Sequence, residues 1–255
     1  MEKSVPQLKT FGLLGFPLGH SFSKKYFTEK FEKLGISATN IYELFELSDI
    51  QQFPEFLKNQ GNIGGLNVTI PHKQAIMPFL DGLDDSAEKV GAVNVIKISP
   101  DGKLIGYNSD YYGFKTSLED FLSQVSFQEI KALVLGNGGA GKAVVAALKD
   151  LGIDYKTVSR TKSSDNISYD EIPALMADYQ LIINCSPVGT FPKSDQCPDI
   201  PYELLTPNHY LYDLVYNPLE TLFLQKGHEQ GAKTHNGLLM LHLQAEKAWE
   251  IWNAK

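Results

Sequence analysis

Apolar residues recur along this chain in two periods, and the period switches from segment to segment. Residues 11–15 form a short apolar run of strand type. Residues 23–34 carry their apolar positions at helical spacing, closed by Gly35. Residues 39–47 are rich in β-formers. Ser48 is placed to cap a helix running to about residue 59, where Gly61 stops it. Residues 64–70 read as a strand, and Pro71-His72-Lys73 reads as the opening of a short helix. Residues 92–98 and 103–107 flank the turn Ser99-Pro100-Asp101-Gly102 and predict a hairpin. Strand–helix alternation of this kind predicts an open α/β sheet.

The second half repeats the alternation with longer helices. Asn108-Ser109-Asp110 introduces a helix over about 111–123. Strands are predicted at 131–135, 155–159, 180–184 and 210–213, and helices at 141–151 and 219–230. The closing segment, 236–252, places Leu238, Leu239, Leu241, Ala245, Ala248, Trp249 and Trp252 near helical spacing. The pattern predicts an α/β protein: an N-terminal open α/β domain (1–109 with the closing helix, 237–255) and a Rossmann-type domain (110–236).

One loop changes this from a fold reading to a chemical one. Gly136-Asn137-Gly138-Gly139-Ala140-Gly141 joins the apolar strand 131–135 to a helix and fits G-x-G-x-x-G. The first glycine allows the turn, the second lets backbone approach a pyrophosphate, and the third lets helix pack on strand. Phosphate then sits against the N–H groups of the helix start. The next strand ends in Ser159-Arg160-Thr161-Lys162, with no carboxylate where an NAD ribose would want one. Arg160 is the single arginine among 23 basic residues. A guanidinium beside hydroxyls and an ammonium suits a 2′-phosphate, so the expected cofactor is NADP(H).

Composition narrows the partners. A net charge of −7 gives no bulk attraction to nucleic acid or anionic lipid. No apolar run approaches the roughly 20 residues of a membrane span. Two cysteines, Cys185 and Cys197, are too few for a disulfide scaffold, and no ligand spacing supports a metal site. A soluble cytoplasmic enzyme acting on a small molecule is the expectation. The oligomeric state is not legible.

Several segments together resemble the shikimate dehydrogenases, in family order over nearly the whole chain. They are Gly15-Phe16-Pro17-Leu18-Gly19-His20-Ser21-Phe22-Ser23, Asn67-Val68-Thr69-Ile70-Pro71-His72-Lys73, Gly91-Ala92-Val93-Asn94 and Asn108-Ser109-Asp110-Tyr111-Tyr112-Gly113-Phe114. In the second half come the glycine loop, Ser159-Arg160-Thr161, Asn184-Cys185-Ser186-Pro187-Val188-Gly189-Thr190, Asp213-Leu214-Val215-Tyr216 and Gly237 through Gln244. Phe16 departs from the usual asparagine, and Asn137 from the commoner alanine.

The resemblance implies reversible NADPH-dependent reduction of 3-dehydroshikimate to shikimate, in the pathway to chorismate and the aromatic amino acids. It implies Lys73 as acid/base with Asp110 as its partner. It implies Ser21 and Ser23 on the substrate carboxylate, Thr69, Asn94 and Gln244 on ring hydroxyls, and Tyr216 as a further hydrogen-bonding group. For NADP(H) it implies Gly136, Asn137, Gly138, Gly139, Ala140, Gly141, Ser159, Arg160, Thr161, Asn184, Leu214 and Gly237. Each also has a plainer reading: Ser21 or Ser23 as a helix cap, Asp110 as a cap, Lys73 as a surface lysine, Cys185 as packing. Two other functions stay open. One is a quinate or dual quinate/shikimate dehydrogenase using NAD(P); the other is a non-catalytic NADP-binding regulator.

Overall fold

The computed structural model describes residues 8–19 and 21–254, so His20 of the first motif lies outside the described residues. The chain divides into two compact units, Met1–Ser109 with Ala245–Lys255, and Asp110–Gln244.

The first unit carries β1 (Lys9–Gly15), α1 (Phe22–Lys33), β2 (Asn40–Glu46), α2 (Phe53–Asn59), β3 (Ile63–Val68), β4 (Gly82–Leu83), α3 (Asp85–Val90), β5 (Val95–Ile98) and β6 (Leu104–Tyr107). Its sheet has the order β2-β1-β3-β5-β6-β4. The β2–β1–β3 part is parallel, and β5 and β6 form the predicted antiparallel hairpin. Alternation along the strands gives the sheet two apolar faces. Phe11, Tyr42 and Val95 join Phe27 and Phe31 of α1 in one core. Leu14, Leu66, Val68 and Ile96 join Ile50, Phe53 and Ala87 in the other.

The second unit carries α4 (Ser109–Phe121), β7 (Lys131–Leu135), α5 (Gly139–Leu151), β8 (Asp154–Val158), β9 (Leu181–Asn184), β10 (Tyr210–Asp213), α6 (Leu222–Glu229), β11 (Lys233–His235) and the start of α7 (Leu238–Asn253). The sheet order is β11-β10-β9-β7-β8, and every pairing is parallel. Leu133, Leu135, Ile182 and Leu211 face Phe223 and Leu224 of α6. On the opposite face, Phe114 of α4 meets Tyr212 edge-on, and the Tyr212 hydroxyl donates to Ser117 Oγ at 2.8 Å. This is the expected Rossmann-type unit.

The closing helix α7 contributes its second part, from Ala245, to the first unit's core. Ala245, Ala248, Ile251 and Trp252 pack beside Phe11 and Phe27. Trp252 Nε1 donates to the Ile96 carbonyl at 3.1 Å. Gly65 has no side chain because a Cβ there would lie 2.3 Å from the Trp252 ring. Glu246 of α7 takes Lys30 Nζ at 2.6 Å and the Tyr26 hydroxyl of α1. Residues 237–244 precede this region and fall in the second unit, against α4.

Local expectations are corrected at three places. Asp49, not Ser48, caps the turn before α2, its carboxylate accepting from Gln51 N at 2.9 Å. Pro71-His72-Lys73 opens no helix; residues 70–76 form successive turns. Helix 219–230 begins later, at Leu222, because Thr221 is the cap. Elements α3, β4 and β11 are too short, at six, two and three residues, for periodicity to reveal.

Candidate active site

In the first unit the motif residues gather around the ends of β1, β2 and β3. Ser21 caps α1, its Oγ accepting from Lys24 N at 3.4 Å. The loop before it is pinned by Glu46 at the end of β2, whose Oε1 accepts from Leu18 N at 2.7 Å. Thr69 follows β3; its N–H donates to the Leu14 carbonyl at 2.9 Å, and its carbonyl accepts from His72 N at 2.9 Å. Gly15 lies beside it because a Cβ there would come within 2.5 Å of Thr69 Cγ2.

Lys73 is held by its backbone. Its carbonyl accepts from Val93 N at 2.7 Å, and the buried ring of His72 binds the Leu47 carbonyl. His72 is thus a structural histidine that fixes the turn carrying Lys73. Asn94 is buried: Oδ1 accepts from Ser109 N at 2.7 Å, and Nδ2 donates to Ser109 Oγ at 3.0 Å. One Nδ2 hydrogen remains beyond that bond.

In the second unit, Asp110 lies in the first turn of α4, where the helix dipole favours a carboxylate. Gln244 lies on α7, its Nε2 donating to the Leu241 carbonyl at 2.9 Å. The two helices cross at Gly113, whose Cβ would sit 2.8 Å from the Met240 carbonyl and 3.0 Å from Gln244 N. Asp110 precedes that crossing by three residues, so the two residues belong to one helix junction. Both obstructing atoms are backbone and cannot swing aside. Gly113→Ala is expected to force the helices apart, costing about 1–3 kcal/mol in urea unfolding and lowering activity. Wild-type stability would show that the crossing is softer than its geometry implies.

The residues expected to hold the cofactor lie at or just beyond the carboxyl ends of the parallel strands. The loop after β7 meets the loop after β9, where strand order reverses, the usual ligand crevice of such sheets. Gly136 has φ of +114°, a conformation that side chains resist. Gly138 would place a Cβ in open space, leaving the backbone approachable. Gly141 would put one 2.4 Å from the Gly136 carbonyl. Gly136 and Gly141 are thus constrained by backbone geometry and close approach, whereas Gly138 is not crowded. Helix α5 has no acidic residue in its first turn and no side-chain cap, so its N–H groups suit a phosphate. The loop fits a dinucleotide, with Asn137, Gly139 and Ala140 completing it.

Ser159 and Arg160 follow β8, and Thr161 N donates to Ser159 Oγ at 3.4 Å. Arg160 is exposed and makes no ion pair among the described residues. Lys162 is tied to Glu171 at 2.8 Å. Asn184 is buried, and its side chain serves the loop, with Oδ1 accepting from Ser186 N and Oγ and Nδ2 donating to Asp213. Leu214 N donates to the Asn184 carbonyl at 3.0 Å, and Gly237 N to the Val215 carbonyl at 3.1 Å. A Cβ on Gly237 would lie 2.1 Å from the Leu214 carbonyl. Burial raises the Tyr216 phenol above its usual value, so it stays a neutral donor at neutral pH. Burial and nearby Asp213 push the Cys185 thiol up, which makes it an inert packing residue. Among the described residues no cluster of His, Cys, Asp and Glu could hold a metal, and no helix is long and apolar enough to cross a membrane.

Sequence reasoning passed over the buried Asp213–Thr221 pair that organises this edge. Thr221 Oγ1 donates to Asp213 at 2.6 Å and Val215 N donates at 3.0 Å. Burial outweighs these donors and pushes the carboxyl up to about 6. The folded state then binds the proton more tightly than the unfolded chain. The resulting stability is present below the unfolded carboxylate value near 4 and is lost as pH rises through about 6. Relative to Asp213→Asn, the wild type should gain on the order of 2–3 kcal/mol between about pH 7 and pH 4. Urea midpoints at both pH values test this; a constant difference would mean that Asp213 titrates normally.

Comparison with known proteins agrees with this geometry. Residues 13–96 match the family model described as the shikimate dehydrogenase substrate binding domain. A shikimate dehydrogenase (NADP(+)) of Clostridium beijerinckii is 39% identical over 96% of this chain and 92% of its own length. One from Desulforamulus reducens is 35% identical over 94% and 88%. The chain belongs to the shikimate dehydrogenase family. A Thermus thermophilus member, solved with NADP(H) and shikimate, superposes with a TM-score of 0.82 at 30% identity, covering 98% of this chain and 94% of its own. The family's two-domain α/β architecture is the one described above.

Proposed function

We propose that this chain catalyses the reversible, NADP(H)-dependent interconversion of 3-dehydroshikimate and shikimate. The observation that carries the reading is the pairing of a glycine loop that fits a dinucleotide with Arg160 just after the next strand, in a chain whose first unit also resembles the family's substrate-domain motifs. The similar enzymes named above are NADP-dependent shikimate dehydrogenases, and the Thermus thermophilus structure holds both ligands.

Bound NADPH supplies a hydride to the ketone carbon. The chain's own residues supply the rest. Lys73 gives a proton to the oxygen as it becomes an alkoxide, and its positive charge favours that build-up. In the reverse direction Lys73 takes the alcohol proton. Asp110 orients the ammonium and a substrate hydroxyl. Ser21 and Ser23 hold the carboxylate, which suits a first unit with no arginine. Thr69, Asn94 and Gln244 bind ring hydroxyls, and Tyr216 adds a phenolic donor. A site of paired polar groups rejects analogues lacking a hydroxyl, because its own groups would be left unpaired.

The test is NADP+ reduction followed by absorbance, with shikimate and quinate as alternative substrates and NAD+ as alternative cofactor. Turnover of shikimate with NADP+ well above the other combinations is expected. Quinate turnover with NAD+ of equal efficiency would replace this reading. Cofactor binding without any turnover would make the protein a regulator rather than an enzyme.

A further inference from the structure

His235 belongs to none of the motifs, yet it ties the strand before Gly237 to the helix that begins at Asp110. It ends β11 and is half-buried, while its neighbour Thr234 faces the other way, against Gly227 of α6. The imidazole stacks on Phe121 of α4, with centroids 5.0 Å apart and planes at 28°, and its centroid lies 5.1 Å from that of the Tyr212 ring. Its Nε2 meets Ser117 Oγ at 3.1 Å, and Ser117 and Tyr212 are both fully buried. Among the described residues, the Tyr212 hydroxyl has Ser117 as its one hydrogen-bond partner, so the phenol hydrogen goes to the serine oxygen at 2.8 Å. The serine hydrogen is then directed at His235 Nε2, which makes the imidazole neutral, with its own hydrogen on Nδ1. Burial lowers the proton affinity of this ring and outweighs the opposing pull of Asp120 on α4. The other titratable groups described on this face are the phenols Tyr210 and Tyr212 of β10, and Lys233 of β11, whose Nζ donates to the Tyr210 hydroxyl at 3.0 Å.

We infer that His235 is a positioning residue for the proposed reaction, acting through the Ser117 hydroxyl on the helix that presents Asp110. This rests on the reading of Asp110 proposed above. In the neutral protein the imidazole holds the serine hydrogen, and α4 keeps its plain helical ladder. A proton taken from water onto Nε2 turns that nitrogen from acceptor to donor. The serine oxygen accepts the new hydrogen beside that of Tyr212, and the serine's own hydrogen must leave. The acceptor within its reach is the carbonyl one turn back, that of Gly113, and such back-bonding bends a helix. Gly113 is also where α4 crosses α7 without slack, since a Cβ there would lie 2.8 Å from the Met240 carbonyl. A bend at this point shifts the first turn of α4, which carries Asp110. The far end stays on the sheet, where Phe121 packs against Tyr210 and Tyr212. The folded state binds the His235 proton less tightly than the unfolded chain. The stability of the neutral contact is therefore present above the ordinary histidine value of about 6.5 and is lost as pH falls below it.

The test is the pH profile of kcat for shikimate oxidation, read as the ratio between about pH 7.5 and about pH 5.5, on either side of the histidine range. His235→Gln keeps a hydrogen-bonding group without a titrating proton. The wild-type ratio should exceed that of His235→Gln by about two- to tenfold, the range of one hydrogen bond. Ser117→Ala should flatten the ratio in the same way, even though its His235 still titrates by imidazole NMR. That variant carries the test alone should the glutamine variant not fold. Equal ratios in the wild type and His235→Gln would overturn the inference. So would a wild-type ratio in Ser117→Ala, or a change confined to the pH dependence of thermal stability. If Asp110→Asn itself turns over normally, the Asp110 assignment fails instead.

Discussion

Lys73→Ala is expected to lower kcat by about 10²–10⁴-fold, the usual range for removing a positioned acid/base group. The fold should survive, because the turn is held by things the substitution leaves alone. Val93 N still meets the residue-73 carbonyl, and His72 still binds the Leu47 carbonyl. NADPH binding should also survive, since every assigned cofactor residue belongs to the second unit. Turnover, thermal stability and cofactor titration of one preparation separate these outcomes. Unchanged kcat would remove the proton-transfer role from Lys73. Lost turnover together with lost NADPH binding would point to a damaged fold.

Arg160→Ala comes second in expected size. A guanidinium on a phosphate makes charge-assisted hydrogen bonds, so its loss should raise KM for NADPH about 10–100-fold. KM for shikimate should barely move. NADH kinetics should hardly change, because NADH has no 2′-phosphate to lose contact with. The preference for NADPH would therefore shrink by the same factor. Lys162 is less suited to substitute, as it is already engaged with Glu171. Equal effects on both cofactors would argue against the 2′-phosphate assignment.

Much of this protein can be read along the chain. The glycine loop is a local device: a turn at Gly136, an open backbone at Gly138 and a close approach at Gly141 are properties of neighbouring residues. Long periodic segments such as α5 and α7 announce themselves for the same reason. The turn at Lys73 does not. Pro71 suggested a helix start, but the segment is governed by bonds to Leu47 and Val93, which lie far away in sequence. Asp49 displaced Ser48 as a cap through a choice between adjacent candidates that propensity cannot make.

The candidate residues divide along the same line. Their identities were legible because short motifs preserve residue type and spacing. Their partners were not. Tyr42 reads as an ordinary strand aromatic until β2, β3 and α1 are assembled, when its hydroxyl meets Asn67 across 25 positions. Asp213 reads as a strand-end acid until Thr221 and Asn184 close over it, and only that enclosure raises its proton affinity. The sequence by itself determined the elements with a strong period, the glycine loop whose shape fits a dinucleotide and the list of candidate residues. Tertiary structure alone decided which buried polar groups satisfy one another and which glycines allow two backbones to touch, because burial and distance are set by residues remote in the chain.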